Sequence, residues 1–454
     1  MKRVVIIGSD FTPSSYPPAL RVRFFAQHLA EFGWEPTILT IDPKEYEWEV
    51  DKENEHLLPK DLRVIRTPVV PISTTRKLGL GDIGLRSLWH HWRALSKLCR
   101  TEQVDLVLIP VPPYYPAIIG RLAHLYYKVP YVVDFIDPWV TLNYWNLPGS
   151  QRPVKRTISY GLSRLLEPFA LKCVGHIVGV SKATTDGVVD RYSWLSEADA
   201  TEIPYGAAAN DFDYLRAQPR RQSFFTNDDK NFHMSYVGRG GEDMKVALRG
   251  LFKAIKKGLN ERSEVFQRLR LHFIGTTYAP KADGKYQVMP VAREFGLEDY
   301  VSEHPGRVAY LDALQILVDS DALIVPGSDR PHYTASKIFP YILAKKPLLA
   351  LFHENSSVVR IVTETKAGAV ITFNGETGLD AKVDDILNAL EQIIVRGSNY
   401  ETETDWSVVD NYSTRAMTER LAQAFDKAIS NNQRYPGAMM RSTPHGEVSR
   451  HSES

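Results

Sequence analysis

Cysteine is almost absent from this sequence, which contains only Cys99 and Cys173. Neither residue belongs to a CxxC pair or to a cluster of cysteine and histidine, so the sequence gives no sign of a disulfide framework or a zinc site. We therefore expect a protein of a reducing, cytoplasmic setting that binds no metal.

Long hydrophobic runs are also absent. The longest weakly polar run, residues 106–119, contains four prolines and cannot form a membrane-spanning helix. The apolar stretch 4–8 near the N-terminus is too short for the hydrophobic segment of a signal peptide. These features predict a cytosolic protein, with peripheral attachment to the inner face of the plasma membrane as the only membrane contact left open.

Neither an excess of one charge nor a dinucleotide-binding motif is present. The chain has 55 basic and 54 acidic side chains, so its overall charge gives no reason to expect nucleic acid as a partner. The loop after the first predicted strand, residues 8–15, lacks the GxGxxG spacing that brings backbone close to a pyrophosphate. A nicotinamide or flavin enzyme is therefore disfavoured, and no cofactor is expected.

The chain does contain two series of alternating strand-like and helix-like segments. Its 454 residues are too many for one ordinary core and suit two domains. The alternation predicts an α/β fold with two doubly wound, Rossmann-like domains, at 1–205 and 206–412, that face each other across a cleft. A helix at 413–430 could pack back onto the first domain, and the polar tail 431–454 is predicted to be disordered.

The start of the first domain supplies three candidate acceptor contacts. Asp10 follows the first predicted strand, where open α/β sheets bind ligands, although the loop could equally be an ordinary connection. Arg21 and Arg23 lie on the next predicted helix. They would either contact an acceptor phosphate or be surface residues.

A second candidate group follows the predicted strand that contains Asp134. Asp134 and Asp137 fall on opposite faces at strand spacing, so one can be structural while the other points into the cleft. Asp137 could orient or deprotonate a hydroxyl, and Trp139 could stack on a sugar ring. The alternative is that Asp134 caps a turn and Trp139 belongs to the core.

The second domain offers candidate phosphate contacts in two places. The loop from Gly238 to Lys245 contains three glycines, which permit close backbone approach, and Arg239 and Lys245 could neutralise a diphosphate. The other reading of this loop is a solvated turn with surface charges. Further on, Tyr333 and Ser336-Lys337 stand where a helix is predicted to begin, a natural site for phosphate. Pro340 is tolerable only in that helix's first turn, which fixes its start near residues 335–337.

Taken in order along the chain, these motifs resemble bacterial GT-B glycosyltransferases of the family 4-like group. The resemblance spans roughly residues 1–430 and is carried by Asp137 to Trp139, Val180-Ser181-Lys182, Ile203-Pro204-Tyr205-Gly206, Gly238-Arg239, Ser336-Lys337 and Lys346-Pro347. It implies a nucleotide-sugar donor held mainly by the second domain, an acceptor held by the first, retention of configuration, and no obligatory metal.

The sequence departs from the family at three positions. Many members carry two glutamates eight positions apart before a Gly-x-Pro segment, and these hold the nucleotide ribose and approach the donor sugar. The matching positions here are His332 and Pro340, and the glycine is replaced by Lys345. Neither glutamate role can be transferred to this chain.

Residues 76–100 combine basic side chains with tryptophan and leucine at helical spacing. Such a segment can lie on an anionic membrane, which would suit a lipid-linked acceptor. The alternative is an amphipathic helix that packs on its own domain and leaves a basic face in solvent.

The sequence thus predicts a glycosyltransferase that moves a sugar from a nucleotide-diphosphate-sugar to a hydroxyl of a glycan or lipid-linked glycan, in surface polysaccharide or glycoconjugate assembly. Two rivals remain: a non-catalytic binding or scaffold protein of the same fold, and a nucleotide-sugar epimerase. An epimerase would convert the donor with no acceptor present.

Overall fold

The structure is a computed structural model. It describes residues 1–46, 50–75, 81–140, 154–226, 229–277, 285–331, 333, 335–375, 377–397, 400 and 402–434.

The first domain is built on a sheet of seven parallel strands. Their order is β3-β2-β1-β4-β5-β6-β7. The strands are β1 (Lys2–Ile7), β2 (Trp34–Ile41), β3 (Arg63–Thr67), β4 (Leu106–Val111), β5 (Tyr131–Phe135), β6 (His176–Gly179) and β7 (Ala200–Glu202). The central strands are buried on both faces, as expected when helices cover both sides of a parallel sheet.

The helices of this domain divide between the two faces of the sheet. They are α1 (Pro17–His28), α2 (Ile72–Thr75), α3 (Ile83–Thr101), α4 (Ala117–Tyr127), α5 (Val154–Leu171) and α6 (Lys182–Val189), and α7 (Ala209–Ala217) follows β7. Side chains of α3, α4 and α5 pack on one face with β1, β4 and β5, whereas α1 packs on the other. The proline-containing start of α1 uses the position where proline is best tolerated.

The second domain has a sheet of six parallel strands in the order β10-β9-β8-β11-β12-β13. The strands are β8 (Phe232–Val237), β9 (Leu269–Ile274), β10 (Val301–His304), β11 (Ala322–Pro326), β12 (Leu348–His353) and β13 (Ala369–Phe373). The helices are α8 (Lys245–Glu261), α9 (Ser263–Phe266), α10 (Met289–Glu294), α11 (Tyr310–Asp319), α12 (Ile338–Leu343), α13 (Ser357–Thr365), α14 (Thr377–Asp380), α15 (Val383–Arg396) and α16 (Trp406–Asp410).

The last helix, α17 (Thr414–Arg434), returns to the first domain. Its residues Met417, Leu421 and Phe425 are buried among apolar side chains of β1 and α1, and Phe425 meets Trp34 edge to face. The helix extends four residues into the segment predicted to be a tail, and residues 435–454 lie outside the described part.

The predicted fold class is confirmed, because both sheets are parallel and each is doubly wound. Four strands were not predicted from the sequence, and each of them is an edge strand of its sheet: β3, β7, β10 and β13. The edge strands β3, β7 and β10 contain charged residues and therefore lack the continuous apolar runs that mark central strands. The edge strand β13 has an apolar sequence but is only partly buried.

Candidate active site in the cleft

The second sheet reverses its strand order between β8 and β11, and the candidate donor residues gather at that point. Gly238 to Asp243 follow β8, while Ser328 and Asp329 follow β11. The two loops are joined because the backbone N–H of Asp329 donates to the carbonyl of Asp243 at 2.7 Å. A crevice at such a reversal is where open α/β sheets bind ligands.

Lys337 crosses this crevice toward the end of β8. Its Nζ donates to the hydroxyl of Tyr236 at 2.5 Å and lies 4.6 Å from the centre of that ring. The ammonium sits so close to Gly238, whose φ is +152°, that a side chain at position 238 would collide with Lys337 Nζ. The glycine therefore makes room for the cation at the mouth of the loop.

Burial makes this ammonium unusually easy to deprotonate. The protein packed around Lys337 removes water from the charged group, and the nearby Arg239 guanidinium adds repulsion, so the pKa falls to about 7. Part of the side chain still reaches the cleft. The site thus holds a cation that gains strongly from a bound anion.

Arg239 is held by a carboxylate that the sequence analysis did not single out. Its Nη1 and Nη2 donate to the two oxygens of Asp243 at 3.0 and 2.8 Å. Burial alone would raise the pKa of Asp243, but the hydrogen bonds from Arg239 outweigh it and lower that pKa. In the sequence, only the spacing of four residues between Arg239 and Asp243 indicated that the two side chains could pair.

The remaining donor candidates lie around this centre with different environments. The ammonium of Lys245, at the start of α8, pairs with Glu242 at 2.7 Å and is partly exposed. Tyr333 stacks on Phe352 at 6.5 Å between ring centres, and its carbonyl accepts from Ser356. Ser336 lies beside Lys337 on the wall of the cleft.

Two of the positions that depart from the family pattern, Pro340 and Lys345, lie near the two ends of helix α12. Helix α12 begins at Ile338, so Pro340 falls in its first turn as predicted. Pro340 lines the cleft and offers no acceptor atom to a ribose from its side chain. Lys345 adopts φ +57°, the left-handed conformation that glycine favours, which explains the glycine usual at this position. His332 lies outside the described residues.

Asp137 lies in the first domain, two residues after the end of β5. Its side chain reaches solvent, yet the protein around it displaces part of the water that a carboxylate prefers, and this raises its pKa. Asp134, three residues earlier, is wholly buried and binds Arg21. One carboxylate is therefore structural and the other is available, in agreement with the strand spacing.

Trp139 has a packing role in this structure. It is 6% exposed and stacks on Tyr114 at 5.6 Å, with Tyr115 against its edge. The Tyr114 hydroxyl donates to the carbonyl of Pro138 at 3.0 Å. The predicted stacking of Trp139 on a sugar ring is therefore not supported, and the alternative of a core residue fits; the aromatic cluster instead fixes the turn that carries Asp137.

Arg21 and Arg23 are fully buried, so the expectation of surface residues is wrong. Arg21 grips Asp134 with Nε and Nη2 at 2.6 and 2.9 Å and donates to two carbonyls of the domain junction. Arg23 binds both oxygens of Asp211 at 2.7 Å. Neither guanidinium reaches solvent, so an acceptor phosphate could contact them only after these ion pairs break.

Asp10 is also enclosed. It is 4% exposed, and its Oδ2 accepts from the hydroxyl of Ser14 at 3.0 Å within the loop after β1. The position at the carboxyl end of the first sheet agrees with the prediction, but the hydrogen bond shows that the carboxylate also shapes its own loop.

An apolar cavity of about 170 Å³ is lined by residues of both domains. Its walls include Leu20 and Phe24 of α1, Tyr310 of α11, and Ser336 and Lys337.

Tyr205, at the domain junction, also lines this cavity. Its buried hydroxyl has no hydrogen-bond partner among the described residues. Burial raises the pKa of Tyr205, and the charges of Asp134 and Asp137 contribute in the same direction. This phenol, which the sequence did not predict, lines the cavity together with Lys337 and is close enough to Asp137 to feel its charge.

The first domain thus carries an exposed carboxylate, Asp137, and the second carries two basic side chains, Arg239 and Lys337, at its strand reversal. Arg239 and Lys337 can neutralise a diphosphate, and Asp137 can accept a proton from a hydroxyl or orient it. Residues 18–206 match the glycosyl transferase 4-like domain. With both doubly wound sheets in place, the chain has the two-domain architecture of GT-B glycosyltransferases.

Solved structures share the fold over nearly the whole chain. A sucrose-phosphate synthase from Thermosynechococcus elongatus is 14% identical, with 95% of this chain and 100% of that chain covered and a TM-score of 0.57. A glycosyltransferase from Rickettsia africae is 13% identical, with 95% and 99% covered and a TM-score of 0.57. HepE of Anabaena, solved with UDP-glucose, is 12% identical, with 94% and 100% covered and a TM-score of 0.57. No curated protein matches the sequence.

Proposed function

We propose that this GT-B glycosyltransferase takes a sugar from a nucleoside-diphosphate-sugar and attaches it to a hydroxyl of a glycan or lipid-linked glycan. The reaction belongs to the assembly of a surface polysaccharide or glycoconjugate and retains the configuration of the sugar, as the family resemblance implies. The observation that carries the proposal is the pair of cations, Arg239 and Lys337, at the strand reversal of the second sheet.

Departure of a nucleoside diphosphate develops negative charge on its β-phosphate. Lys337 is held in a water-poor environment, where a charge interaction is stronger than in bulk water. Arg239 donates to Asp243 through Nη1 and Nη2, and this ion pair leaves its Nε edge to donate to phosphate oxygens. Lys337 thus supplies the positive charge and Arg239 supplies hydrogen bonds, and the reaction we propose uses no metal or other cofactor.

The acceptor hydroxyl approaches from the first domain. Asp137 lies free of ion pairs among the described residues and has a raised pKa, which makes it a better proton acceptor than an ordinary surface carboxylate. Tyr205 stands at the junction with a hydroxyl that can donate to a substrate oxygen. In HepE, UDP-glucose is the bound ligand, which makes uridine diphosphate sugars the first donors to test.

A thermal-shift screen against UDP, GDP, dTDP, ADP and CMP tests the donor half of the proposal. A ligand at 100 times its Kd that binds only the folded protein adds about 2.7 kcal/mol of stability and raises the Tm by several degrees. We expect one diphosphate to do so, and the shift to be lost in Arg239→Ala and Lys337→Ala. Lys256→Ala, on the exposed side of α8, is the matched control and should keep it.

The corresponding nucleotide-sugar then tests the chemistry. Release of nucleotide that requires an added glycan acceptor supports transfer, whereas conversion of the donor sugar without acceptor would indicate an epimerase. If no diphosphate changes the Tm, the chain is a binding or scaffold protein and the proposal fails.

A further inference from the structure

Large hydrophobic side chains are exposed mainly on one face of the first domain. Of the eleven that are exposed in the described part of the chain, six lie on the three adjacent helices α3, α4 and α5. They are Trp89, Leu125, Tyr126, Leu162, Leu165 and Phe169. Trp92 of α3 contacts Tyr126 and Tyr127 of α4, and α4 packs against α5, so the three helices form one continuous surface. We call this surface the α3–α5 face.

The same face carries positive charge that no carboxylate of the described residues neutralises. Six exposed basic side chains lie on these helices or at their ends, namely Arg93, Lys97, Arg100, Lys128, Arg164 and Lys172. None of the six forms an ion pair with a carboxylate of the described residues. Helices α3 and α4 contain no acidic residue, and the single one on α5, Glu167, is buried and paired with Arg191.

Helix α8 of the second domain shows that this arrangement is not general in the chain. Of its five basic residues, Arg249, Lys253 and Lys257 pair with a carboxylate of a neighbouring element and Lys245 pairs with Glu242, so that only Lys256 has no ion pair among the described residues. The whole chain carries a formal charge of only +1. The positive charge of the α3–α5 face is therefore a local asymmetry that the rest of the molecule offsets.

Basic groups interspersed with exposed tryptophan, tyrosine, leucine and phenylalanine match the chemistry of an anionic bilayer surface. The cations attract lipid phosphates, while the apolar side chains enter the boundary between head groups and acyl chains. Helix α3 alone, with 19 residues, is roughly 28 Å long at 1.5 Å per residue. None of the helices described is long and apolar enough to cross a membrane, so contact through this face would be peripheral.

The face also leads to the proposed acceptor side of the cleft. Gly84, at the start of α3, lies against Pro113 and Pro116, where a side chain would clash. The intervening Tyr114 donates to Pro138, next to Asp137. The N-terminal end of α3 is therefore joined, through this loop, to the turn that carries Asp137.

We propose that the α3–α5 face docks on an anionic phospholipid bilayer and so presents the cleft to a membrane-anchored acceptor. Docking by itself does not depend on the proposed transfer reaction; only the identity of the acceptor rests on it. The sequence predicted a membrane contact through residues 76–100 alone. The proposed surface also includes α4 and α5, and residues 76–80 of the predicted segment lie outside the described part.

Sedimentation with vesicles tests docking without donor or acceptor. The full-length protein is mixed with vesicles of phosphatidylcholine alone or with 30 mol% phosphatidylglycerol, a composition of about a third anionic lipid chosen to give a strong surface potential. We expect binding to the anionic vesicles only, with affinity that falls as salt rises because the charges are exposed. Equal binding to both vesicles, or none to either, would overturn the proposal.

Two variants probe the electrostatic and apolar parts separately. Arg93→Glu with Lys97→Glu should weaken binding at least about 25-fold, since each basic residue near an anionic surface is worth about a factor of five. Leu165→Asn should weaken it several-fold through lost apolar contact. The matched controls are Lys256→Glu and Val395→Asn, which change exposed residues of the second domain and should bind as the parent does.

All these side chains are exposed, so the variants should fold with nearly unchanged Tm. Loss of binding in the controls to the same degree would contradict the assignment of this face. A second copy of the chain is the competing occupant. A dimer in solution that Leu165→Asn dissociates, with no vesicle binding by the parent protein, would overturn the proposal in favour of that interface.

Discussion

The protonation of Lys337 should make donor binding depend on pH around neutrality. With a pKa of about 7, the free protein carries the ammonium in about nine tenths of molecules at pH 6, one half at pH 7 and one tenth at pH 8. The diphosphate of a nucleotide-sugar is esterified at both ends and stays fully ionised over this range. Any change in affinity between pH 6 and 8 can therefore be assigned to the protein.

The expected size of the effect follows from these populations. If only the protonated form of Lys337 binds the diphosphate, the apparent Kd is the intrinsic Kd divided by the protonated fraction, and it rises about tenfold from pH 6 to pH 8. The sign is fixed because an anion favours the charged form, and binding at pH 7 should take up about half a proton per site.

Isothermal titration calorimetry in buffers of different ionisation enthalpy measures both quantities. Lys337→Arg keeps its charge at every pH and should give a flat profile. Lys337→Met should bind about 10- to 100-fold more weakly, the usual worth of a hydrogen bond to a charged group, and should also show no pH dependence. A Kd of the parent protein that stays within twofold across the range, or a tenfold change that persists in Lys337→Met, would refute the reasoning.

Three further predictions concern other parts of the molecule. Asp137→Asn should lower kcat by about 10²–10⁴ while the donor KM changes little, because it removes the proposed proton acceptor; activity within threefold of the parent in a steady-state assay would remove Asp137 from the mechanism. Asp211→Ala should cost about 3–5 kcal/mol in urea unfolding, since it leaves the buried Arg23 charge without its partner; a loss below 1 kcal/mol would show that Arg23 is solvated instead. Burial lowers the pKa of both His91 and His272 to about 3, so both histidines are neutral in the folded protein. The free energy of unfolding should therefore be highest above pH 6.5 and fall by about 2 kcal/mol for each histidine at pH 5, where the unfolded chain binds the protons. Urea midpoints at pH 7 and 5 measure this loss, and His91→Leu should remove about half of it.

Several site residues were predictable because their position depends on local sequence. Pro340 fixed the start of α12 to within one turn, and that start places Ser336 and Lys337 at the cleft. The alternation of Asp134 and Asp137 likewise followed from the period of a strand. In both cases the information lies within a few neighbouring residues.

Other expectations failed because they depended on elements distant in the chain. Arg21 was expected to contact an acceptor phosphate or to lie on the surface, but its partner Asp134 is 113 positions away. Arg23 and Asp211 are separated by 188 positions, and Trp139 is enclosed by aromatic residues of the loop after β4. Whether a charged or aromatic side chain is free cannot be read from its own helix or strand.

The sequence by itself determined the parallel α/β class, the two-domain plan and the candidate cations, because hydrophobic periodicity and helix-start signals act over short distances. Tertiary structure decided which charges are committed and which are available. It buried Arg21 and Arg23, tied Arg239 to Asp243, and left the exposed basic side chains of the α3–α5 face without acidic partners among the described residues. The physical reason is that solvation and ion pairing depend on which elements pack together, and that packing is a property of the complete fold.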